Sequence, residues 1–522
     1  MKNLTRKVVT GLFMVALLLV IAGCARDGND PAAPPGGTAG AGLSPVTLSV
    51  AFWDNGMWEI NPADTMFGTY IHERFNITVE PMVITWGDFN ERLQMWAAAG
   101  QLPDVFLNFW YWQWRSDGLT KPLNLAYLEA NYPNLMDRIS ATAIPFLTVD
   151  GYIYGLPRTS WRNSSIPVSA TGLYINTRFL EMAGLDTPPT TLDGWVDFLR
   201  QAVNDDFSGM NTLGLSSDGG VPSPLLTVLP FTGSSGRFVQ EDGQWTLTQL
   251  ARSNIEALRF GRMLYQEGII DSQIATRRSG DAMNLFNEGR LVLMQSNTDG
   301  DMMARFRGPD NLDTYQWVTF SMGPESFAGE GRFHNAISNF DGNISFNSAI
   351  SQEKLDRALM FFDWAASPEG ERIATLGFEG THWEMQNDRI VSLIPDIDGA
   401  GQKYWEYEAF AMFARFMISW NFEYAITSPV HPPGNLAMAN EHLDNIRNTA
   451  RIVDINWGLE FFNSPAIEAM PAIGPEWTAL YLQAIAGTED VEVMFERYLQ
   501  QQLVRFQDAI DELNEFARSQ GY

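Results

Sequence analysis

The chain has 522 residues, 62 acidic against 34 basic side chains, a formal net charge of −28 at pH 7, and one cysteine. So negative a chain excludes binding to nucleic acid by phosphate neutralisation and is repelled by anionic lipid, and a single cysteine excludes an intramolecular disulfide. The length exceeds what one hydrophobic core usually serves, so two domains are expected, and an aromatic content of 12% with 17 tryptophans leaves rings over for binding.

The chain opens MKNLTRKVVTGLFMVALLLVIAGC. Lys2, Arg6 and Lys7 precede an apolar run from Val8 to Ile21, too short for a comfortable membrane span and shaped like a secretory leader. The small residues before Cys24 resemble the lipobox of bacterial lipoproteins, where the leader is cut ahead of a cysteine whose thiol carries a diacylglyceryl group; the alternative is an ordinary leader with an incidental cysteine. Residues 1–23 thus read as a lipoprotein signal peptide, Cys24 as the lipidation site, and 24–45, rich in Gly, Pro and Ala, as a flexible tether. The expected location is the extracytoplasmic face of the cell membrane, with lipid as the anchor.

Beyond the tether, strands and helices alternate. VTLSVAFW (46–53) alternates Val46, Leu48, Val50 and Phe52 as a strand does, 62–75 suits a helix with Pro62 in its first turn, and ITVEPMVI (77–84) reads as a second strand. Asp88 and Glu91 form a capping-box pattern ahead of a helix with Phe89, Leu93, Trp96 and Ala97 on one face, which Gly100 stops. Pro103 to Leu107 begins a third strand. This order predicts a parallel sheet with right-handed crossovers, and ligands then sit beyond the carboxyl ends of the strands. Trp53 to Asn55 and the run Asn108 to Trp112 lie at such ends. Further on, 171–185 continues the alternation, and Thr190 with Asp193 forms a capping pattern. Residues 253–269 form a helix stopped at Gly268, 286–294 turn into a buried strand, and 340–367 give a strand and then a helix with Leu355, Leu359 and Phe362 inward. From about 403 the chain reads as largely helical.

The stretches FNITVEPMVITWGDFNERLQMWAAAGQLPDVF, YGLPRT, GLYINTRFLEMAGLDTPPTTLDGW, LRFGRMLYQEGIID, MNLFNEGRLVLM and DWAASPEGERIATLGFEGTHW, with the closing amphipathic helix, resemble the extracellular solute-binding lipoproteins of ABC importers, in their large sugar-binding branch. Length and the GFEGTHW segment look most like binders of oligosaccharides, including uronate-containing ones. The resemblance implies an α/β fold, a two-lobed periplasmic-binding-protein-like clamshell of type II with an added helical C-terminal part. Lobe one would comprise 46–157 plus 338–385 and lobe two 158–337 plus 386–522, with hinge crossings near 156–165, near 335–343 and after Trp383. It further implies a sugar or oligosaccharide ligand, ABC permease subunits as partners, and a monomer.

A sugar offers apolar C–H faces and a rim of hydroxyls, so flat rings and Asn, Asp or Arg side chains are the residues to seek. The candidates are Trp53, Asn55, Trp86, Asn108 and Trp110, then Tyr111 and Trp112. Arg158, Trp161 and Arg162 come from the hinge, Asn343 from the return crossing, and His382, Trp383 and Glu384 from the segment after Phe378-Glu379-Gly380. Trp96, Trp114 and Trp364 suit the core instead. Many long members of the resembled family carry a calcium loop where this chain has NDDFSGMNTLGL; Asn204, Asp206, Ser208 and Asn211 keep oxygen atoms, but no later acid completes the set calcium favours. No cofactor is otherwise expected. The chain lacks GxSxG, HExxH, GxGxxG and phosphate-loop motifs, and its five histidines show no metal-ligand spacing. The expectation is a binding protein and not an enzyme, with a tethered carbohydrate-active enzyme, a sensor subunit, or a binder of peptide or another polar solute as the alternatives.

Overall fold

In the computed structural model the described residues are 42–522 except 52–64, 83, 85–87, 142, 160–170, 190, 218–219, 234–235, 279, 298–314, 319–331, 336–339, 388, 394–449, 454–456 and 472. The leader, Cys24, Pro62 and the helical reading of 403–449 therefore fall outside them. Two sheets organise the molecule. In the first, the strand order is Ile77–Pro81, Val46–Ala51, Val105–Asn108, Phe340–Phe346, Leu156–Thr159. Its first three strands are parallel, with Val46 opposite Ile77 and Val50 opposite Val105. Phe340–Phe346 returns from far along the chain and runs antiparallel to both neighbours, a reversal that the local alternation of strand and helix does not announce.

Alternation built this sheet as read. Val46, Leu48 and Val50 are buried while Thr47 is exposed, and the helix Met66–Phe75 buries Phe67, Tyr70, Ile71 and Phe75 against it. The helix Gln352–Ala366 buries Leu355, Leu359 and Phe362. Trp364 lies in the same core, and Trp96 packs at its edge. Gly100 takes φ +67° and Gly268 φ +73°, each ending a helix where sequence put the stop. Two caps differ. Asp88 precedes the helix Phe89–Ala98 without bonding an N–H of its first turn; it pairs with Arg92 one turn on. Thr191, one residue past the expected Thr190, caps Leu192–Asn204 by accepting from Gly194 N at 3.1 Å.

The second sheet has the order Tyr315–Val318, Thr171–Asn176, Leu291–Asn297, Leu213–Leu215. Its buried residues form a second apolar cluster, which includes Trp195 and residues of the C-terminal helices Gly474–Ala486 and Val491–Gln520. Asn514 fastens the last helix to a hairpin, accepting from Trp245 N and donating to Trp245 O, each at 2.8 Å. The helices Asn254–Gln266 and Gly474–Ala486 pack closely at Gly261, where a Cβ would stand 2.9 Å from Tyr481 Cζ and 3.0 Å from Ile485 Cγ2. Among the described residues no helix is long and apolar enough to cross a membrane.

Candidate ligand-binding site

The strand Val105–Asn108 is buried throughout, and it ends because Asn108 turns the chain. The Asn108 Oδ1 accepts from Trp110 N at 2.7 Å, and its Nδ2 donates to Ser345 Oγ at 3.2 Å on the neighbouring strand. Sequence put Asn108 against a ligand; its fully buried amide instead holds the turn that presents the aromatic run. Phe109, 42% exposed, lies edge-on to Phe89. Across from it Gly342 takes φ +68°, and a Cβ there would meet Phe109 Cε1 at 2.9 Å, so the return strand passes beneath the ring.

The helix Tyr111–Ser116 then sorts the rings by its period. Trp114 faces inward at 3% exposure against Phe106, with ring centroids 5.4 Å apart. Trp110 is half-buried and stacks on Trp114 at 5.3 Å with 17° between planes, so one indole lies on top of another. Tyr111 is buried: its hydroxyl donates to Leu147 O at 2.6 Å and accepts from Tyr154 N at 2.8 Å, and burial pushes its phenol pKa up. It serves as a tie between segments. Trp112 is half-buried, edge-on to Tyr111, with the Arg115 guanidinium 5.9 Å from its centroid and 5.2 Å from that of Tyr154.

Asn343 stands opposite Asn108 in register and is 2% exposed; its Oδ1 finds no donor among the described residues. Arg158 is also buried, 1% exposed, and engaged by neighbours. His382 and Trp383 are buried as parts of a small corner: His382 Nδ1 accepts from Phe378 N at 2.9 Å and Trp383 Nε1 donates to Gly377 O at 3.1 Å. Glu384 is half-buried and takes a hydrogen bond from Gln386. Trp53, Asn55, Trp86, Trp161 and Arg162 lie outside the described residues.

A contact between the two sheet-and-helix bodies, which sequence reasoning missed, adjoins these rings. Arg115 pairs with Glu468 at 3.2 Å, and Asn463 Nδ2 donates to the same carboxylate oxygen at 2.7 Å. Phe461 stacks on Phe146 at 5.2 Å and 13°, and packs on the cluster of Tyr111, Ala143 and Leu147 beside Trp112 and Tyr154. No spacing rule joins positions more than 300 residues apart; only the basic residue three beyond Trp112 hinted at a partner.

The loop after Leu192–Asn204 was the metal candidate. Asn204 ends the helix, and Asp206 (φ +44°) turns its carboxylate onto Thr212 Oγ1 at 2.9 Å, Thr212 N at 2.8 Å, Ser208 Oγ at 3.2 Å and Asn211 N at 3.3 Å. The Thr212 hydroxyl first, then these N–H donors, hold the Asp206 pKa below the usual carboxylate value. Calcium takes about six to eight oxygens with several charges, and the Asp206 carboxylate accepts bonds from within its own loop. Among the described residues no group of three or more His, Cys, Asp or Glu is placed to hold a metal ion.

The sequence pattern of bacterial extracellular solute-binding proteins matches residues 67–372, more than half of the chain. The chain belongs to that family. Lipoprotein LipO of Bacillus subtilis (strain 168) is 22% identical over 362 residues, 65% of this solute-binding protein and 68% of the relative. Among solved structures it is similar to the alginate-binding protein AlgQ2 without calcium ion, with 15% identity, 91% of this chain and 98% of that one covered, and a TM-score of 0.64. It is also similar to the S. pneumoniae ABC-transporter substrate binding protein FusA in complex with kestose, with 15% identity, 91% and 99% covered, and a TM-score of 0.63. At these identities the likeness shows the fold, the type II periplasmic-binding-protein architecture that the two sheets and two cores display.

Proposed function

We propose that this solute-binding protein is the lipid-anchored receptor of an ABC importer, and that it captures an oligosaccharide between its two lobes and delivers it to the membrane permease. The single observation that carries the sugar assignment is the ledge of Trp110 stacked on Trp114 just past the end of Val105–Asn108. An indole braced from behind offers a rigid apolar face, and a pyranose C–H face fits it at little entropic cost. The ledge adjoins the place where the lobes touch through Phe146–Phe461 and Arg115–Glu468, which suits a ligand enclosed by hinge closure. One similar protein is named for binding alginate and another is in complex with kestose, both carbohydrates. Trp53, Asn55, Trp86, Trp161, Arg162 and Asn343 remain proposed contacts, whereas Asn108 and Tyr111 act by placing the ledge. The thiol of Cys24 carries the anchor in this reading, and the protein works as a monomer without a cofactor.

The test is a thermal-shift screen against oligosaccharides and short peptides. A ligand at 100 times its Kd adds about 2.7 kcal/mol to stability, so a saccharide hit raises the midpoint visibly. Peptides that shift it while every saccharide leaves it flat would overturn the sugar assignment.

A further inference from the structure

Two crossings between the sheets run side by side. The chain leaves the first sheet by the strand Leu156–Thr159 and next pairs in the second as Thr171–Asn176; it returns from Tyr315–Val318 of the second to Phe340–Phe346 of the first. The outgoing and returning strands are antiparallel neighbours, with Phe340 opposite Thr159 and Asn343 opposite Pro157. Three residue steps on the returning strand face two on the outgoing one, so a bulge interrupts the ladder between Phe340 and Asn343. Within it Gly342 takes φ +68°, the left-handed region open to glycine. A bulge bends its strand and leaves one residue unpaired, so the backbone turns there more readily than along the regular ladder.

The bulge also lies beyond the support of the third strand. The last pair with Val105–Asn108 is Asn343 with Asn108. Among the described residues, Phe340–Gly342 therefore continue with Leu156–Thr159 as their one strand neighbour. Over the bulge lies Phe109, the residue after Asn108. A Cβ on Gly342 would meet Phe109 at Cε1 (2.9 Å) and Cδ1 (3.3 Å), and Leu107 Cδ1 at 3.2 Å. The ring rests on bare backbone. Its own position is set from two sides: Phe89, 2% exposed, meets it edge-on with centroids 6.0 Å apart, and the Asn108 amide holds the turn that carries it. At 42% exposure the ring adds little to the core. It touches the bulge in space and precedes Trp110, the ledge, in the chain.

We infer that the Gly342 bulge is a joint between the two lobes and that Phe109 is its stop: the ring limits how far the returning strand swings, and so sets the resting opening of the clamshell. This rests on the reading of two hinged lobes above. A stop matters for capture, because apparent affinity falls with the fraction of molecules outside the competent arrangement. The platform for the sugar and the limit on the swing then belong to one turn of the chain. Phe109 is a positioning residue that acts on the ligand through the joint.

The experiment is a distance distribution by double electron–electron resonance between nitroxides on Gln94→Cys and Gln201→Cys, exposed helix positions on lobe one and lobe two. The full chain is measured in detergent without ligand, with Cys24→Ser so that only the introduced thiols carry labels. Phe461→Ala and Glu468→Gln remove the lobe contact, and Phe109, Phe109→Ala and Phe109→Leu are compared in that background and with the contact intact. Phe109→Ala should lengthen and widen the distribution by several ångström once the contact is gone, with the melting midpoint of its background retained. Phe109→Leu, still bulky and apolar, should stay close to Phe109. Equal distributions for Phe109 and Phe109→Ala, beside a lengthening when the contact is removed, would overturn the stop and leave the hinged lobes in place. A midpoint that drops steeply, with Phe109→Leu lengthened as much as Phe109→Ala, would make the ring a packing residue and overturn the inference too. One narrow, unchanged distance in every sample would mean lobes that do not swing, and would remove the hinged-lobe reading together with the inference.

Discussion

Trp110 and Trp114 form one stack, yet their removal should have opposite consequences. Trp114 is 3% exposed and packed on Phe106. Truncating it leaves a large cavity, and Trp114→Ala should cost about 3–5 kcal/mol, roughly 10 °C of melting midpoint for a lobe of this size. Trp110 is half-buried with one face on Trp114. Trp110→Ala loses the stack, about 0.5–1.5 kcal/mol of stability. Its other face is the one a sugar would cover. Half of a fully enclosed indole is about 80–120 Å², and at about 25 cal/mol per Å² that is about 2–3 kcal/mol of binding, or roughly 30- to 150-fold in Kd. The assay is titration of an oligosaccharide ligand into both variants, with melting curves as the control for folding. Unchanged affinity in Trp110→Ala would refute the ledge as the sugar platform. A retained midpoint in Trp114→Ala would refute the packing argument beneath it.

Gly261→Ala should destabilise lobe two by about 1–3 kcal/mol, since the new methyl meets Tyr481 Cζ at 2.9 Å; chemical denaturation measures it, and an unchanged midpoint contradicts the close approach. Asp271 is 2% exposed: burial alone would raise its pKa, but Arg277, the Gln273 N–H and Ser216 outweigh that and hold it low. A depressed folded-state value means stability present above the unfolded pKa of about 3.9 and lost as pH falls through the folded one. Asp271→Asn should therefore melt below wild type at pH 7, with the gap narrowing below about pH 4; a gap independent of pH would show that the charge is not involved. Phe461→Ala combined with Glu468→Gln should loosen the lobe contact by about 1–2 kcal/mol, seen as a larger ligand-free radius of gyration in small-angle scattering. An unchanged radius would mean that these contacts do not set the lobe arrangement.

Local pattern made much of the fold legible. Alternation at Val46 to Val50, helical spacing at Leu355 to Phe362, and glycine stops at 100 and 268 each reflect a force acting within a few residues, and each is present. Caps were less legible because side chains compete. Asp88 chose Arg92 over its own helix terminus, and the hydroxyl used ahead of Leu192–Asn204 was the next threonine along. The antiparallel return of Phe340–Phe346 depends on pairing across more than 200 residues, for which no local signal exists. The position of the aromatic run just past the end of a strand was readable, but the way its side chains divide between core and surface was not. Asn108, Tyr111 and Trp383 carry the residue types of a sugar site and turned inward, each satisfied by a nearby backbone group. Arg115 and Phe461 gain their meaning from partners that only three dimensions reveal. The bond from Thr212 to Asp206 was missed in the same way, its hydroxyl lying just beyond the oxygen-bearing residues of the loop.

The most direct test of the account is equilibrium titration of the purified protein with defined oligosaccharides, followed by mass analysis of the recovered sugar. Saturable binding with one ligand per chain and a sugar recovered unchanged is the predicted result. Sugar returned shortened, or saccharides that never bind while another solute class does, would contradict it.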